Sequence, residues 1–193
     1  MEKKLDFRIE KTYMGLHNAF TELLEKKRFE NITVNELCER AMIRRTTFYK
    51  HFADKYEYFV FYCKETGETF HRQLPQDLSS DNIESYFLQM LRLLFRFIFS
   101  HQELVNNIRE SDLFPTLLYF LSKQIADDLA IRQRADGTGS DPVLSESIAA
   151  FYSGGFLYML IRWSEKKYPL DEDLFVNTLS QFIGEKGFEK LKV

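Results

Sequence analysis

The stretch from Thr33 to Lys55 constrains this 193-residue chain most, because its pattern predicts two short helices joined by a tight turn. Before the turn, apolar residues recur at the spacing of one helix face, and Thr33 with Glu36 forms the pattern of a capping box. The pattern breaks at Met42 and resumes at Arg45, which leaves a turn of about three residues. The sequence therefore predicts a helix-turn-helix motif over this stretch.

The second helix of this motif is basic and rich in hydroxyl groups, and it carries no acidic residue. Such a surface suits the phosphates and base edges of double-stranded DNA, while an ordinary solvated polar face is the alternative interpretation. Contacts with base edges are expected from Asn35, Arg44, Arg45, Thr46 and Thr47. Contacts with phosphates are expected from Thr33, Tyr49, Lys50, His51 and Lys55.

Charge is distributed unevenly along the chain. The net charge of −3 argues against a protein that binds nucleic acid over its whole surface. Residues 1–60, however, hold 12 Lys and Arg against 10 Asp and Glu, while the remainder holds 14 against 19. This distribution indicates a DNA-binding module attached to an acidic body.

Cysteine usage and hydropathy indicate a cytoplasmic protein without a membrane partner. Cys38 and Cys63 occupy apolar-face positions and lack the spacing of a metal site or a disulfide framework. Arg92 and Arg96 interrupt the most apolar segment, so no run of about eighteen apolar residues occurs. We expect two buried free thiols in a reducing compartment.

An enzyme is the alternative class of protein, and the sequence offers little support for it. No Ser/His/Asp arrangement, metal-ligand spacing or phosphate-binding glycine loop occurs, and the four histidines are scattered. The sequence therefore predicts no catalytic residues, no metal and no cofactor.

Apolar residues keep helical spacing along the whole chain, with breaks where Pro, Gly and small polar residues cluster. Helices are predicted at about 6–27, 55–73, 83–100, 102–110 and 143–167, with others after Ser111 and Asp171. No strand pattern is present. The predicted class is all-α.

Two glycines, Gly154 and Gly155, stand in the middle of a predicted helix, where each costs about 1 kcal/mol against alanine. Close approach of another helix, including one from a second subunit, would offset this cost. A kink beside a pocket is the alternative. Arg162 lies on the inward line of the same helix and is expected in an interface ion pair or at a ligand.

Residues 9–59 resemble the TetR family of transcription regulators. The most specific part of the resemblance is the string Thr47-Phe48-Tyr49-Lys50-His51-Phe52, followed closely by Lys55. Two positions depart from the family pattern, because members commonly have Gly where Met42 stands and a Ser-like cap where Arg44 stands. The resemblance implies a DNA-binding domain over 1–54 and a sensing and dimerisation domain over 55–193, connected by the helix 55–73.

The resemblance also implies a homodimer that represses transcription by binding a pseudo-palindromic operator, and a small effector in the second domain. The predicted interface residues are Phe151, Gly154, Gly155, Tyr158, Arg162, Phe175, Leu179 and Phe182. The predicted residues of a largely apolar effector pocket are Tyr86, Met90, Phe97, Tyr119 and Tyr152. The alternative is a coregulator of the same fold that acts through protein contacts instead of an operator.

Overall fold

Helices make up every regular element that the computed structural model describes, within residues 7–74, 83–135, 142–162 and 171–183. In chain order the helices are α1 (Phe7–Leu24), α2 (Val34–Arg40), α3 (Arg45–Phe48), α4 (Lys55–Gln73), α5 (Ile83–Ser100), α6 (Gln102–Arg109), α7 (Phe114–Ala135), α8 (Pro142–Arg162) and α9 (Glu172–Ile183). A single 3-10 turn, Phe29–Asn31, lies between α1 and α2. The predicted all-α class is confirmed. None of the described helices is long and apolar enough to cross a membrane.

The chain divides into two compact units that do not follow chain order. The first unit contains residues Met1–Glu65 and His101–Thr116, and the second contains Thr66–Ser100 and Leu117–Val193. Helix α4 contributes to both units, since the division falls at Glu65 within it. The inclusion of residues 101–116 in the first unit is a feature that the sequence pattern does not reveal.

Aromatic rings form the core of the first unit. Phe20 of α1, Phe29 of the 3-10 turn, Phe48 of α3 and Tyr58 of α4 are fully buried. The ring of Phe20 meets that of Tyr58 edge-on at 5.2 Å between centroids, an arrangement that aromatic pairs prefer. One cluster of rings therefore joins four elements that are separate in sequence.

Helix α6 packs against α1 and completes the first unit. Leu104 and Ile108 bury the apolar face of α6. The side-chain amide of Asn107 donates to the carbonyl oxygen of Leu24 at 2.7 Å, which satisfies one of the carbonyls left open where α1 ends. Burial and this hydrogen bond together fix α6 on the end of α1.

The turn after α6 is bound to the segment between α1 and α2. The backbone N–H of Asp112 donates to the Glu30 carboxylate at 2.7 Å, and the Arg28 guanidinium donates to the carbonyl of Glu110. These polar contacts join residues about eighty positions apart in sequence.

In the second unit, α5 packs against α9. Phe95 and Phe175 meet at 5.1 Å between ring centroids, and both are buried. Beside them, Glu172 accepts hydrogen bonds from Arg92 at 3.0 Å and from Arg96 at 2.8 Å. The hydrogen bond from Arg96 is the main reason why the pKa of Glu172 lies below its ordinary value.

Local signals predicted the helix starts well. The capping box of Thr33 and Glu36 is present. Asp54 accepts from the backbone N–H groups of Tyr56 and Glu57, and Asp171 caps α9 through Leu174 N–H at 2.8 Å. Helix ends were predicted less well, because the first helix stops three residues before the predicted residue 27 and α3 has only four helical residues.

Met42 has a backbone conformation that L-residues rarely adopt. It lies in the turn between α2 and α3 with φ of 55°, and 93% of its surface is exposed. A side chain in this left-handed region costs about 1–2 kcal/mol, and Met42 recovers little of that cost through packing. The departure from Gly at this position therefore introduces local strain.

We expect Met42→Gly to raise the free energy of unfolding by about 1 kcal/mol, because glycine adopts φ of 55° without a steric cost. Urea denaturation measures this change. The matched control is Met14→Gly, since Met14 is 62% exposed but lies inside α1, where glycine costs about 1 kcal/mol. Equal destabilisation by both substitutions would contradict the assignment of strain to Met42.

Candidate nucleic-acid interface

Helix α3 owes its orientation to two buried rings. Its four helical residues give it no stability of its own. Phe48, which is fully buried, and Phe52, which is 5% exposed, both pack on Tyr58, with ring centroids 5.9 and 4.9 Å away. This anchoring turns the opposite side of the segment 44–51 outward.

The outward side of this segment carries most of the predicted contact residues. Arg44, Arg45, Thr46, Tyr49 and Lys50 are exposed, while Thr47 and His51 are half-buried. The guanidinium of Arg45 lies over the Tyr49 ring, 5.8 Å from its centroid. Within the described residues, neither Arg44, Arg45 nor Lys50 forms an ion pair, so their charges are available to an external anion.

Thr33 and Asn35 lie at the start of α2 and already have partners. The hydroxyl of Thr33 accepts from Glu36 N–H at 3.2 Å, and the backbone N–H of Thr33 donates to the Glu36 carboxylate at 3.0 Å. Asn35 donates to Glu39 at 2.6 Å. Both residues are exposed. Asn35 has to exchange one side-chain partner to reach a base edge, whereas Thr33 takes part in both hydrogen bonds of the capping box.

Glu36 is the electrostatic centre of this cap. The pKa of Glu36 is lowered mainly by a hydrogen bond from Lys27 at 2.5 Å, and hydrogen bonds from the backbone and hydroxyl of Thr33 lower it further. Together they lower the pKa of Glu36 to about 2. The carboxylate therefore stays ionised throughout the range in which most proteins are folded.

His51 is held by α1. Its Nδ1 lies 3.2 Å from the hydroxyl of Tyr13, and the two rings meet edge-on at 5.3 Å between centroids. This contact leaves Nε2 as the ring nitrogen that can reach a ligand. Burial is the main reason why the pKa of Tyr13 is raised, so Tyr13 is a neutral partner.

Lys55 has partners other than the phosphate that the sequence analysis predicts. Its ammonium donates to the backbone carbonyls of Phe29, Glu30 and Ile32 at 3.0, 3.1 and 2.8 Å. A lysine ammonium has three N–H groups, and three carbonyls accept from it here. The position of Lys55 at the start of α4 was predicted correctly, but its side chain turns inward because three backbone carbonyls converge there.

The residues predicted for an effector pocket do not share one environment. Met90, Phe97 and Tyr152 are half-buried, and Phe97 meets Phe70 at 5.5 Å between ring centroids. Tyr119 is 69% exposed, which corrects its predicted place inside a pocket. The side chain of Tyr86 lies outside the described residues. Within the described part of the chain, no three metal-ligating side chains come together.

Helix α8 carries an exposed stripe around its glycines. Phe151 and Tyr158 are 76% and 64% exposed, and Gly155 lies between them on the same face. Within the part of the chain that the structure describes, a Cβ added at Gly154 or Gly155 would meet no heavy atom within 4 Å. Val143, 70% exposed, extends the stripe and was not among the predicted interface residues.

Two of the α9 residues predicted for a dimer interface are unavailable to a second subunit. Phe175 and Leu179 are fully buried, and Phe175 packs on Phe95 within the same chain. The prediction for these two side chains is corrected, because α5 covers the face of α9 on which they lie. Leu174, 47% exposed, lies outside that contact. The side chain of Phe182 lies outside the described residues.

Comparisons with known proteins identify this fold. No family model matches the chain. It is 40% identical over 57 residues to an uncharacterized HTH-type transcriptional regulator, YxbF, from Bacillus subtilis (strain 168). That match covers 29% of this chain and 15% of the length of YxbF.

Two solved structures are similar over most of both chains. The TetR transcriptional regulator from Streptococcus agalactiae 2603V has a TM-score of 0.62 at 20% identity, over 92% of this chain and 96% of that chain. The dihydroxyacetone kinase operon activator DhaS has a TM-score of 0.57 at 19% identity, over 88% and 94%. This chain has the all-helical fold of TetR transcriptional regulators, and the proteins that it resembles are transcriptional regulators.

We expect Glu36→Gln to remove a part of the folding stability that depends on pH. The pKa of Glu36 is lower in the folded state than its usual 4.5, so its contribution is full above that value and is lost as the pH falls towards about 2. The difference in free energy of unfolding between wild type and variant should therefore be largest near neutrality. Urea denaturation at a series of pH values measures it.

Lys27→Met is the matched variant, because the hydrogen bond from Lys27 is the largest cause of the lowered pKa of Glu36. When Lys27 is substituted, Glu36→Gln should change the free energy of unfolding less than it does in wild type, and this change should depend less on pH. A difference between wild type and Glu36→Gln that is constant with pH would show that the carboxylate charge contributes nothing.

Proposed function

We propose that this protein is a sequence-specific DNA-binding transcriptional regulator that inserts α3 into the major groove. The observation that carries the proposal is the outward surface of segment 44–51, which is held by Phe48 and Phe52 and presents cations and hydroxyls without an acidic residue. Arginine, lysine and hydroxyl groups are the side chains that DNA-binding proteins use for phosphates and base edges.

The proposed contacts divide by position along this segment. Arg44, Arg45, Thr46 and Thr47 lie at the start of α3, where helix-turn-helix proteins reach base edges, and Asn35 on α2 joins them. Tyr49, Lys50 and His51 follow the helix and are proposed to contact phosphates, together with the cap of Thr33. The cytoplasm is the proposed site of action.

A homodimer is the form in which we propose that the protein binds DNA. The supporting observation is the stripe of Phe151, Gly155 and Tyr158 on α8, since exposed aromatics beside glycines permit close approach of a second copy of the helix. Arg162, at the end of the same helix, is proposed to lie in an interface ion pair. Two copies would present two α3 helices to the half-sites of a pseudo-palindromic operator.

Control by a small, largely apolar effector in the second unit is the remaining part of the proposal. The half-buried side chains of Met90, Phe97 and Tyr152 support an apolar and aromatic binding site. Repression is the proposed outcome of operator binding. The name of DhaS, an operon activator, indicates that a similar fold also serves activation.

We expect selection from random duplexes to recover a pseudo-palindromic sequence with half-sites about one helical turn, or a multiple, apart. Thr47→Ala should change the preference among bases by about 1 kcal/mol at one position of each half-site. Lys50→Gln should weaken binding to all duplexes alike and lower the slope of affinity against salt by about one per site. Fluorescence anisotropy at several salt concentrations measures both effects.

Equal loss of preference from both substitutions would contradict this division between base and phosphate contacts. If the selection recovers no preferred sequence, the protein is instead a coregulator of the same fold that acts through protein contacts.

We expect wild type to have about twice the chain mass of 23.0 kDa in light scattering, and Phe151→Asp to have the mass of one chain. The aspartate would place an unpaired charge in the proposed contact between α8 helices. Val60→Asp is the matched control, since Val60 is 44% exposed on α4 and should leave the mass unchanged. A wild-type mass near 23.0 kDa at micromolar concentration would contradict the dimer.

A further inference from the structure

The ammonium of Lys55 lies where three backbone carbonyls converge. Its hydrogen bonds to Phe29, Glu30 and Ile32 are 2.8–3.1 Å long, and it also lies 4.4 Å from the centroid of the Phe29 ring. A charged donor strengthens each hydrogen bond, and a ring face adds further attraction for the cation. The site is built for an ammonium group.

The three carbonyls belong to the segment that leads into the helix-turn-helix motif. Phe29 and Glu30 lie in the 3-10 turn Phe29–Asn31, and Ile32 immediately precedes Thr33, the N-cap of α2. This segment has few regular hydrogen bonds of its own, since the N–H groups of Asn31 and Ile32 close only single turns. Its conformation therefore depends on side chains from elsewhere.

We propose that Lys55 is a positioning residue for DNA binding: it holds the segment 29–32 so that Thr33 starts α2 in the correct place, and it makes no phosphate contact. The proposal rests on the function proposed above, because it assigns how one residue of that interface acts. Its basis is the convergence of three acceptors on the three N–H groups of one ammonium.

A phosphate contact by Lys55 would require this arrangement to open. The Phe29 carbonyl would keep its hydrogen bond from Ile32 N–H, but those of Glu30 and Ile32 would lose the donor that Lys55 supplies, which is costly where the atoms are partly buried. Lys50, in contrast, is exposed and forms no ion pair within the described residues. The two lysines can therefore be compared directly.

Arginine separates the two roles of Lys55. It keeps the positive charge and binds phosphate at least as well as lysine, so a phosphate contact should survive Lys55→Arg. Its planar group cannot direct three N–H donors from one nitrogen to three converging carbonyls. A positioning role should therefore be lost in the arginine variant although the charge remains.

The first measurement is hydrogen exchange of the free protein. In Lys55→Arg, the amides of residues 31–33 should exchange about tenfold faster, while those of α3 stay unchanged. Lys55→Met is the second variant and should give the same local change. Lys26→Gln, which removes an exposed charge at the end of α1, should leave exchange in residues 31–33 as in wild type.

The second measurement is DNA affinity as a function of salt, with the folded fraction of each variant checked by circular dichroism. Lys55→Arg and Lys55→Met should each weaken binding about tenfold with an unchanged salt slope, whereas Lys50→Gln lowers the slope by about one. Combined with Thr33→Ala, the Lys55→Arg loss should not be additive, because both substitutions disturb the start of α2. Simple loss of global stability would give neither the unchanged slope nor this coupling.

Wild-type affinity for Lys55→Arg, or a salt slope lowered by about one for Lys55→Met, would overturn the proposal in favour of a phosphate contact. Unchanged exchange of residues 31–33 in both Lys55 variants would also overturn it. If wild type selects no duplex, the proposed function fails instead, and the exchange measurement still decides whether Lys55 holds the segment.

Discussion

Burial of the Phe48 ring is the interaction on which the rest of the first unit depends. Helix α3 has four helical residues and no side-chain hydrogen bond at its N-cap, Arg44, so neither length nor capping can stabilise it. Its geometry comes instead from Phe48 and Phe52, which pack against Tyr58 of α4. The orientation of the outward surface of segment 44–51 therefore depends on the aromatic core and is only as stable as that core.

Local interactions explain how much of this architecture could be predicted from sequence. Thr33 was predicted as the cap of α2 because a cap depends on residues within one turn of it. Both cysteines, Cys38 and Cys63, are buried and free as predicted, since their place on an apolar face follows from helical spacing alone. Helix α4 has its predicted bounds for the same reason.

Contacts between distant segments explain what could not be predicted. Residues 101–116 join the first unit through Asn107 and Asp112, whose partners are neither periodic nor close in sequence. Lys55 resembles a surface cation in the sequence, yet it turns inward because carbonyls that sequence cannot locate converge beside it. Phe175 looked like an interface residue, since spacing identifies an apolar face but not the helix that covers it.

The positive character of α3 in a chain with a net charge of −3 has a local cause. Several acids of the first unit are bound elsewhere: Glu22 pairs with Arg40, Glu36 with Lys27, and Glu30 with Arg28. Charges paired in this way contribute little electric field at a distance, because each carboxylate lies next to a cation of opposite charge. The cations of segment 44–51 are not cancelled in this way. Net charge therefore describes the whole chain, whereas the placement of its acids decides which surface can attract a polyanion.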